Sequence, residues 1–445
     1  MMYLDHSLTK ALTLCLAFTS LAACSEIQEE AANTEESWST AFPGKADIYG
    51  EDSRREINDP SVSEQERELA QSVAMVFNIR NTLDITDESI SFSRKTMSQE
   101  FQRINGVPLC EDEPFAQQVA PGYCTAFLIA PDLMATAGHC VNGHTRCAQM
   151  SFAFDYAKSS PSEDPVRISR KDHYRCESII GRLYDPFEDG EALLSKEYWY
   201  DWAVIKLDRP VTDRKPVVLT EGEFIERGAP LTVIGHPSGL PMKLTQGNVV
   251  TDDKERYMNT TLDIYKGNSG SPVFDNEGKV HGIVIRGSGG NSFEIVNGEC
   301  GRSKQCEDIG DPTGCIGNHA LRIDPIRIFT NENLKYIEQH SLVDDDEELG
   351  FRHSFNFEQE GEVAVATVHL NAGARDSKAL KVILHHNGKS VEMMHRPKDL
   401  GYGRWTASKF DFKGEPVEGE WIIEVIEEEA ARLNVEWAQV MLAYQ

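Results

Sequence analysis

The sequence has little positive charge. Its 445 residues include 44 Lys and Arg against 72 Asp and Glu, so the formal net charge at pH 7 is -28. Nucleic acids and anionic membrane surfaces repel a chain with this charge, and we therefore expect neither as a direct partner. The acidic surface favours solubility but predicts no particular chemistry.

The sequence also lacks, near its N terminus, an apolar run long enough to span a bilayer. Lys10 precedes a run that extends only over Ala11–Leu21, which is typical of an export signal. Directly after it, Leu21-Ala22-Ala23-Cys24 resembles the bacterial lipobox, in which the cysteine becomes the lipidated first residue of the mature protein. Cleavage of an ordinary signal after Ala23 is the alternative.

The lipobox resemblance implies a signal peptide over residues 1–23 and a lipid on Cys24. Ser25, rather than an acidic residue, follows the cysteine, and in Gram-negative bacteria this pattern implies sorting to the outer membrane. The lipid would then be the membrane contact, with the protein facing the periplasm or the cell surface, or released from the cell. Residues 24–45 are rich in Glu, Ser, Thr and Ala, a composition typical of a flexible acidic tether.

Cysteine is absent from the C-terminal part of the chain. Apart from Cys15 in the signal and Cys24, all cysteines lie between residues 110 and 315: Cys110, Cys124, Cys140, Cys147, Cys176, Cys300, Cys306 and Cys315. An even number of cysteines in an exported chain favours disulfides. We therefore expect one domain to be cross-linked by disulfides and the C-terminal domain to contain none. A zinc site is the alternative, but the last three cysteines lack the paired short spacings that such sites favour.

The length predicts two folded domains with tails, because a single core rarely serves so long a chain. Short β-type runs bounded by turn residues recur through residues 46–342 and predict an all-β sandwich or barrel domain. The clearest runs are Val73–Ile79, Cys124–Ile129, Trp202–Leu207, Leu231–Ile234 and Val280–Ile285. A helix is expected at about Asn331–His340, at the end of this domain.

An acidic run that ends in glycine, residues 343–350, is typical of a linker between domains. A calcium site is the alternative, but the run lacks a loop of spaced ligands. Further strand patterns follow over residues 351–445 and predict a second β domain.

Three short segments carry the residues that nucleophilic catalysis needs. His139 follows an apolar strand, Asp201 opens another, and Ser269 lies between glycines at the entrance to a third. A serine hydroxyl needs a base within hydrogen-bond reach, and the base needs an acceptor that orients it. We therefore predict Ser269 as nucleophile, His139 as base and Asp201 as its orienting partner, with the N–H groups of Gly267 and Ser269 as the oxyanion hole.

Other residues compete for two of these roles. Asp185 and Asp189 also lie between His139 and Ser269, but in a loop that contains Pro and Gly rather than at the start of an apolar strand. His236 is a rival base, for which a structural turn histidine is the preferred interpretation.

Together, in the order His, Asp, Ser, the three segments resemble the trypsin/chymotrypsin superfamily over about residues 46–340. Asn268 and Ser271 resemble its bacterial branch that includes the glutamyl endopeptidases. The resemblance implies two six-stranded β-barrels and a serine endopeptidase. The order also excludes the α/β-hydrolase arrangement. Asn268 stands where trypsin-type zymogens carry the Asp that pairs with the new N terminus, so that activation switch is not expected.

The same resemblance implies one disulfide, because the superfamily often joins the positions of Cys124 and Cys140. A second pair, Cys147 with Cys176, is expected from their proximity in the same half of the domain. The pairing of the other four cysteines stays open.

The resemblance also locates a specificity pocket, with Asp263, six residues before the nucleophile, near its base. Val284, Arg286 and Gly287 would form one wall and His319 the other side. A buried Asp263 favours basic substrate side chains, whereas a structural carboxylate is the alternative. Val284 replaces the histidine usual in glutamyl-type enzymes, although Arg286 or His319 can still favour an acidic side chain. The balance leans weakly to basic substrates.

The C-terminal region resembles the P domain of proprotein convertases in Gly419–Val425, Leu433–Leu442 and Asn371–Leu384. The resemblance implies a jelly-roll β-sandwich that stabilises or targets the protease, with an unrelated sandwich as the alternative. His385 and His386 are expected on the surface at a strand end rather than as metal ligands.

The sequence as a whole predicts an exported, monomeric serine endopeptidase that acts on proteins or peptides without a metal or other cofactor. The alternative is an inactive protease-like lipoprotein that uses its β domains for binding.

Overall fold

The computed structural model describes residues 48–141, 147–159, 166–184, 200–252, 256–287, 292–307, 317–345, 350–374, 380–396, 403–427 and 433–445. The predicted signal peptide, Cys24 and the predicted tether lie outside these residues. Within Gly44–Gln445, the described residues belong to one compact unit.

Strands dominate the described residues. Up to the last barrel strand they are β1 (Ile48–Tyr49), β2 (Arg55–Glu56), β3 (Val73–Asn78), β4 (Thr82–Ile85), β5 (Ser89–Phe92), β6 (Cys124–Ala130), β7 (Leu133–Thr136), β8 (Met150–Ala153), β9 (Arg167–Ser169), β10 (His173–Tyr184), β11 (Asp201–Leu207), β12 (Val218–Leu219), β13 (Pro230–Gly235), β14 (Lys243–Asp252), β15 (Tyr257–Thr260), β16 (Pro272–Phe274), β17 (Lys279–Arg286), β18 (Phe293–Val296), β19 (Cys300–Ser303), β20 (Gln305–Cys306) and β21 (Asn318–Arg322). The remaining strands are β22 (Lys335–Asp345), β23 (Gly350–Phe357), β24 (Val363–Ala374), β25 (Leu380–His386), β26 (Lys389–Arg396), β27 (Gly403–Lys409), β28 (Gly419–Glu427) and β29 (Leu433–Tyr444).

The helices are short: α1 (Glu64–Ala70), α2 (Met97–Asn105) and α3 (Asp324–Arg327). The first two begin with a capping box, in which Ser63 pairs with Glu66 and Thr96 with Gln99. These reciprocal hydrogen bonds satisfy backbone N–H groups that a helix start leaves without a partner.

The first barrel is closed by six strands in the order β10-β11-β7-β6-β3-β8. Every residue of Cys124–Ile129 in β6 is buried, as is most of β11. Such continuous apolar runs form strands that are covered on both faces. The ends of β7 and β11 are where the predicted histidine and aspartate lie.

The second barrel has the order β17-β16-β13-β14-β15-β21, and pairing of β17 with β21 closes its ring. The two six-stranded barrels predicted from the family resemblance are therefore confirmed. The N-terminal segment also joins this half of the protein, because β2 pairs with β14 and β1 with β20.

The last eight strands form two four-stranded sheets, β22-β29-β24-β27 and β23-β28-β25-β26. Counted within this domain, the strand orders are 1-8-3-6 and 2-7-4-5, which is the connectivity of a jelly roll. Both sheets contribute to one apolar core that includes Phe355, Val368 and Trp421. The predicted β-sandwich is therefore present.

Two local predictions are wrong. Asn331–His340 is not a helix, because Lys335–Asp345 forms β22 and pairs along its length with β29. The sandwich consequently begins at Lys335, and the acidic run at residues 343–350 joins two of its strands rather than two domains. Residues 346–349 of that run lie outside the described residues.

His386 also differs from its prediction. It is only 2% exposed and stacks on Trp421, with ring centroids 3.9 Å apart. Its ring nitrogens lie 3.0 and 2.8 Å from the carbonyl oxygens of Glu420 and Pro416. The adjacent His385 is partly exposed and contacts Glu424.

Three disulfides join described cysteines: Cys124–Cys140, Cys147–Cys176 and Cys110–Cys300. The first two are the pairs that the sequence predicts. The third closes a separation of 190 residues, which spacing alone could not assign. Cys306 is also disulfide-bonded, and Cys315 lies outside the described residues.

Candidate active site

His139 and Asp201 meet at one end of the first barrel. His139 lies in a single 3-10 turn, Gly138–Cys140, directly after β7, and Asp201 is the first residue of β11. The two strands pair antiparallel with Ala203 opposite Thr136, so the histidine turn and the start of β11 are adjacent. Both side chains remain partly exposed, at 21% for His139 and 16% for Asp201.

Asp201 holds His139 through two hydrogen bonds. Its Oδ2 lies 2.7 Å from Nδ1 of His139, and its Oδ1 accepts from the His139 backbone N–H at 2.8 Å. A carboxylate only accepts, so the ring proton lies on Nδ1 and Nε2 carries the lone pair that can accept a proton. One carboxylate thus fixes the tautomer, the ring orientation and the backbone of the turn.

Gly138 explains why the turn can lie so close to β11. A Cβ at this position would lie 2.7 Å from the Leu183 carbonyl oxygen and 2.9 Å from that of Trp202. Backbone atoms cannot move aside as a side chain can, so only glycine fits here. This contact was not predicted from the sequence.

Ser269 lies in a loop between β15 and β16 and is partly exposed. Gly267 and Gly270, on either side of it, have φ values of 101° and 87°, in the left-handed region that favours glycine. A Cβ at Gly270 would lie 2.1 Å from the Thr125 carbonyl oxygen. The two glycines therefore allow the loop to press against the first barrel.

Thr125 on β6 fastens this loop to the first barrel. Its N–H donates to the Ser269 carbonyl oxygen at 2.9 Å, and its Oγ1 donates to that of Gly267 at 2.8 Å. Its own carbonyl oxygen accepts from Thr136 Oγ1 at 2.7 Å. Sequence reasoning missed this residue, although a threonine inside the apolar run of β6 was a visible signal.

The disulfide Cys124–Cys140 completes the junction, because each cysteine neighbours a residue of the site. The Cys140 sulfur lies 3.7 Å from the Ser269 carbonyl oxygen, so the histidine turn and the serine loop are in contact. Cys124, His139 and Cys140 also bring possible metal-binding atoms within 4.8 Å of one another. Both sulfurs are joined in the disulfide, however, so they supply no thiolate.

The N–H groups of Gly267 and Ser269 have no acceptor among the described residues. The neighbouring N–H groups are used: Asn268 donates to Tyr265, Gly270 to Val284 and Ser271 to Asn268. Two free N–H groups on a glycine-flanked loop are the donors that an oxyanion hole needs.

Two arginines near Asp201 are held in low-dielectric surroundings. Burial lowers the pKa of Arg182 and of Arg286 to about 10, and each is electrostatically coupled to Asp201. Burial also raises the pKa of Tyr184, whose ring centroid lies 6.2 Å from that of His139. Both arginines are thus cationic at neutral pH, and the tyrosine is neutral.

His236 is unsuited to be the base. It is fully buried, and burial lowers the pKa of its imidazole to about 3. Its Nδ1 lies 2.9 Å from the Leu240 carbonyl oxygen, and its backbone N–H donates to Thr125 Oγ1. These contacts match the structural turn histidine. The rival acids Asp185 and Asp189 lie outside the described residues.

Asp263 is occupied by the N-terminal segment. One carboxylate oxygen accepts from the Tyr49 N–H at 2.8 Å, and the other from the N–H and Oγ of Ser53 at 2.8 and 2.6 Å. Asp263 is only 1% exposed, and burial raises its pKa to about 6. These contacts match the alternative of a structural carboxylate and remove the basis for a preference for basic substrates.

The other predicted pocket residues lie on neighbouring strands of the second barrel. Val284 is buried in the core, and its backbone bonds both Gly270 and Ser271, so it positions the serine loop. Arg286, at the end of β17, is opposite His319 on β21, and both are partly exposed. Gly287 directly follows β17 and is buried.

In the part of the chain that the structure describes, no helix has the length and apolar character needed to cross a membrane.

Comparisons with known proteins find similarity to a family model and to a curated protein. Residues 124–283 match the family model of the trypsin-like peptidase domain. A stretch of 124 residues is 29% identical to "Serine protease HtrA-like" of Staphylococcus aureus (strain bovine RF122 / ET3-1). That stretch covers 24% of this chain but only 15% of that protein.

Two solved structures are also similar. A Glu endopeptidase in complex with MPD is 16% identical, with a TM-score of 0.36, over 64% of this chain and 100% of that chain. The inactive form of Rv3671c from M. tuberculosis H37Rv is 13% identical, with a TM-score of 0.32, over 61% of this chain and 88% of that chain.

The family match begins in β6 and ends in β17. It therefore spans parts of both barrels, the histidine turn, the start of β11 and the serine loop. Within residues 124–283, this chain therefore matches a trypsin-like peptidase domain.

Proposed function

We propose that the protein is a serine endopeptidase in which Ser269, His139 and Asp201 form the catalytic triad. The observation that carries the proposal is the double hydrogen bond from Asp201 to the ring and backbone of His139. A purely structural Asp–His pair has no need of a neighbouring glycine-flanked serine with two free N–H groups. Here the serine loop and the histidine turn are in contact.

In acylation, Ser269 Oγ attacks the carbonyl carbon of the substrate peptide while His139 Nε2 takes the hydroxyl proton. The oxyanion accepts hydrogen bonds from the N–H groups of Gly267 and Ser269. His139 then donates the proton to the departing amine, the C–N bond breaks, and an acyl ester remains on Ser269. Water repeats these steps against the ester, which releases the carboxylic acid and restores the serine.

Asp201 acts by orientation and charge. It accepts from Nδ1 throughout, which keeps Nε2 directed away from the carboxylate. Its negative charge stabilises the imidazolium that forms during each proton transfer. These steps need no metal, and the disulfide beside His139 contributes rigidity only.

A fluorophosphonate probe tests the proposal directly. The wild-type protein should be labelled on Ser269 and should cleave peptides, and Ser269→Ala should lose both properties while its thermal unfolding stays unchanged. Chelators and thiol reagents should leave the chemical step unaffected. Undiminished proteolysis by purified Ser269→Ala would overturn the proposal, and an unlabelled, inactive wild type would favour the binding protein instead.

The substrate side chain is expected to meet Arg286 and His319 rather than Asp263, because the Asp263 carboxylate is already bonded to the N-terminal segment. Profiling of a peptide library should therefore show no gain for Lys or Arg at the cleaved bond. Arg286→Met should alter the preference, whereas a wild-type enzyme selective for Lys or Arg would contradict this assignment.

We also propose that the protein is exported and anchored through a lipid on Cys24, on the strength of the lipobox-like segment. Globomycin should then accumulate the precursor. Mass spectrometry that finds an unmodified Cys24 at the mature N terminus would rule out the lipid.

A further inference from the structure

The sandwich packs against the first barrel directly behind the His139–Asp201 pair. Ala364, Val365, Met441 and Ala443 from β24 and β29 belong to the same apolar cluster as the core of that barrel. The interface is therefore a continuous hydrophobic contact.

Polar contacts in this interface are directed at one edge of β10. β8 pairs with β10 only over His173–Arg175, and no described strand of the barrel continues that edge. Two side chains of the sandwich bond its backbone instead: Ser408 Oγ accepts from the Arg182 N–H at 2.8 Å, and Thr367 Oγ1 donates to the Ile180 carbonyl oxygen at 3.2 Å. The two hydroxyls are also 2.8 Å apart.

Arg182 links the sandwich to the Gly138–Cys140 turn, which contains His139. Its Nη1 donates to the Thr406 carbonyl oxygen of the sandwich at 3.0 Å, and its Nε donates to the Gly138 carbonyl oxygen at 2.8 Å. Its guanidinium also lies 5.2 Å from the centre of the Tyr184 ring. One rigid, planar group thus bridges the sandwich and the peptide that precedes His139.

The aspartate side of the pair has a similar contact. Trp202, which follows Asp201, is completely buried. Its ring centroid lies 5.7 Å from that of Phe329 and 5.9 Å from that of Phe410, which follows β27. Asp201 is therefore followed directly by a residue, Trp202, whose side chain packs against Phe329 and against Phe410 of the sandwich.

We infer that the C-terminal sandwich holds the His139–Asp201 pair in its reactive geometry and that Arg182 is the positioning residue that transmits this support. The guanidinium fixes the Gly138 carbonyl, the Gly138–Cys140 turn fixes the histidine backbone, and Asp201 bonds that backbone and the ring. The inference rests on the proposed peptidase function. It concerns a residue that touches neither substrate nor reacting atoms.

Arg182→Met removes both guanidinium bonds while keeping much of the apolar volume. Its kcat and its rate of fluorophosphonate labelling should fall about tenfold to a hundredfold per folded molecule, since small displacements of catalytic groups have effects of this size. KM should stay within about twofold, because Arg182 makes no substrate contact. The far-downfield proton resonance of the His139–Asp201 hydrogen bond should broaden or shift.

Arg209 provides the matched control. Like Arg182, it lies over a tyrosine, Tyr174, and donates to two backbone carbonyls, those of Lys171 and His173. It is more exposed and bonds the other end of β10. Arg209→Met should therefore keep the labelling rate and the downfield resonance of the wild type, whatever its thermal stability.

Arg182→Lys covers the case in which Arg182→Met does not fold. An ammonium keeps the charge but cannot span both carbonyls as the guanidinium does, so kcat should still fall, by a smaller factor, with KM unchanged. Ser408→Ala, on the sandwich side, should lower the labelling rate in the same direction. Wild-type rates per folded molecule in Arg182→Met, or in Arg182→Lys where the former does not fold, would overturn the inference.

The two proposals can fail separately. If the wild-type protein is neither labelled nor active, the peptidase assignment fails. The downfield resonance of Arg182→Met against Arg209→Met still decides whether Arg182 positions the histidine, because it needs no turnover.

Discussion

Different interactions stabilise the barrels and the sandwich internally. The barrels contain disulfides and satisfied buried charges such as Lys243, whose ammonium donates to Glu56, Gln118 and the Pro241 carbonyl oxygen. The sandwich follows the last cysteine and has one apolar core around Trp421. Where a few polar groups must be placed accurately, cross-links and closed hydrogen-bond networks restrict the backbone, whereas a supporting layer needs mainly apolar packing.

The largest expected effect is a loss of activity in the barrels without a loss of stability. Asp201→Asn should leave the fold intact but lower kcat by roughly 10⁴, because the amide favours the wrong histidine tautomer. Steady-state kinetics together with denaturant unfolding would test this. A variant that keeps near-wild-type kcat would show that Asp201 does not orient His139.

The next effect lies in the sandwich core. Trp421 is fully buried, stacks on His386 and donates to the Val417 carbonyl oxygen at 3.0 Å. Trp421→Ala should lower the free energy of unfolding by about 3–5 kcal/mol, as loss of a buried aromatic ring does. Because the sandwich and first barrel share an apolar interface, activity and circular dichroism should be lost together on heating. Full activity after the sandwich has unfolded would contradict this coupling.

A third effect compares two cross-links of the same barrel. Replacing Cys124 and Cys140 by Ala should cost about 3 kcal/mol of stability, and replacing Cys147 and Cys176, which close a longer loop, slightly more. Only the first replacement should lower kcat per folded molecule, because only that disulfide lies beside His139 and the serine loop. Equal kcat losses in the two double variants would show that the Cys124–Cys140 bond has no special role at the site.

The smallest expected effect is a loss of stability of the folded protein at low pH. His236, in the second barrel, is buried with a pKa near 3, well below that of an unfolded histidine, so the folded state binds fewer protons. Its contribution to stability is therefore complete above about pH 6.5 and is lost as the pH falls toward 3. Between pH 7.5 and 5 the wild type should lose about 2 kcal/mol more than His236→Gln. Denaturant titrations with the same acid dependence for both proteins would contradict this assignment.

Local sequence patterns predicted an all-β domain over the barrels, because the determinants of its strands are local, and the family resemblance added the arrangement in two barrels. Continuous apolar runs such as β6 and β11 form strands that are covered on both faces. The glycines beside Ser269 indicate a tight backbone turn at the serine. The predicted catalytic residues each lie at the end or start of such a run. Their assignment to catalysis stays a prediction until the probe experiment is done.

Features that depend on distant partners could not be predicted. The sequence predicts a helix where β22 lies, because nothing near Lys335 indicates that β29, at the other end of the domain, pairs with this segment. The position of Asp263 before the nucleophile gave no sign that Tyr49 and Ser53 bond its carboxylate. The role of Arg182 could not be predicted for the same reason, since its hydrogen-bond partners are the distant carbonyl oxygens of Gly138 and Thr406.

The covered edge of β10 has a consequence for how the protein meets other copies of itself. A strand edge with unused N–H and C=O groups is a template on which another chain can add a strand, and folded proteins generally block such edges. Here the hydroxyls of Thr367 and Ser408 occupy that template. The sandwich thereby keeps the first barrel from offering an open sheet to its neighbours, a protection that matters most where many copies are crowded together.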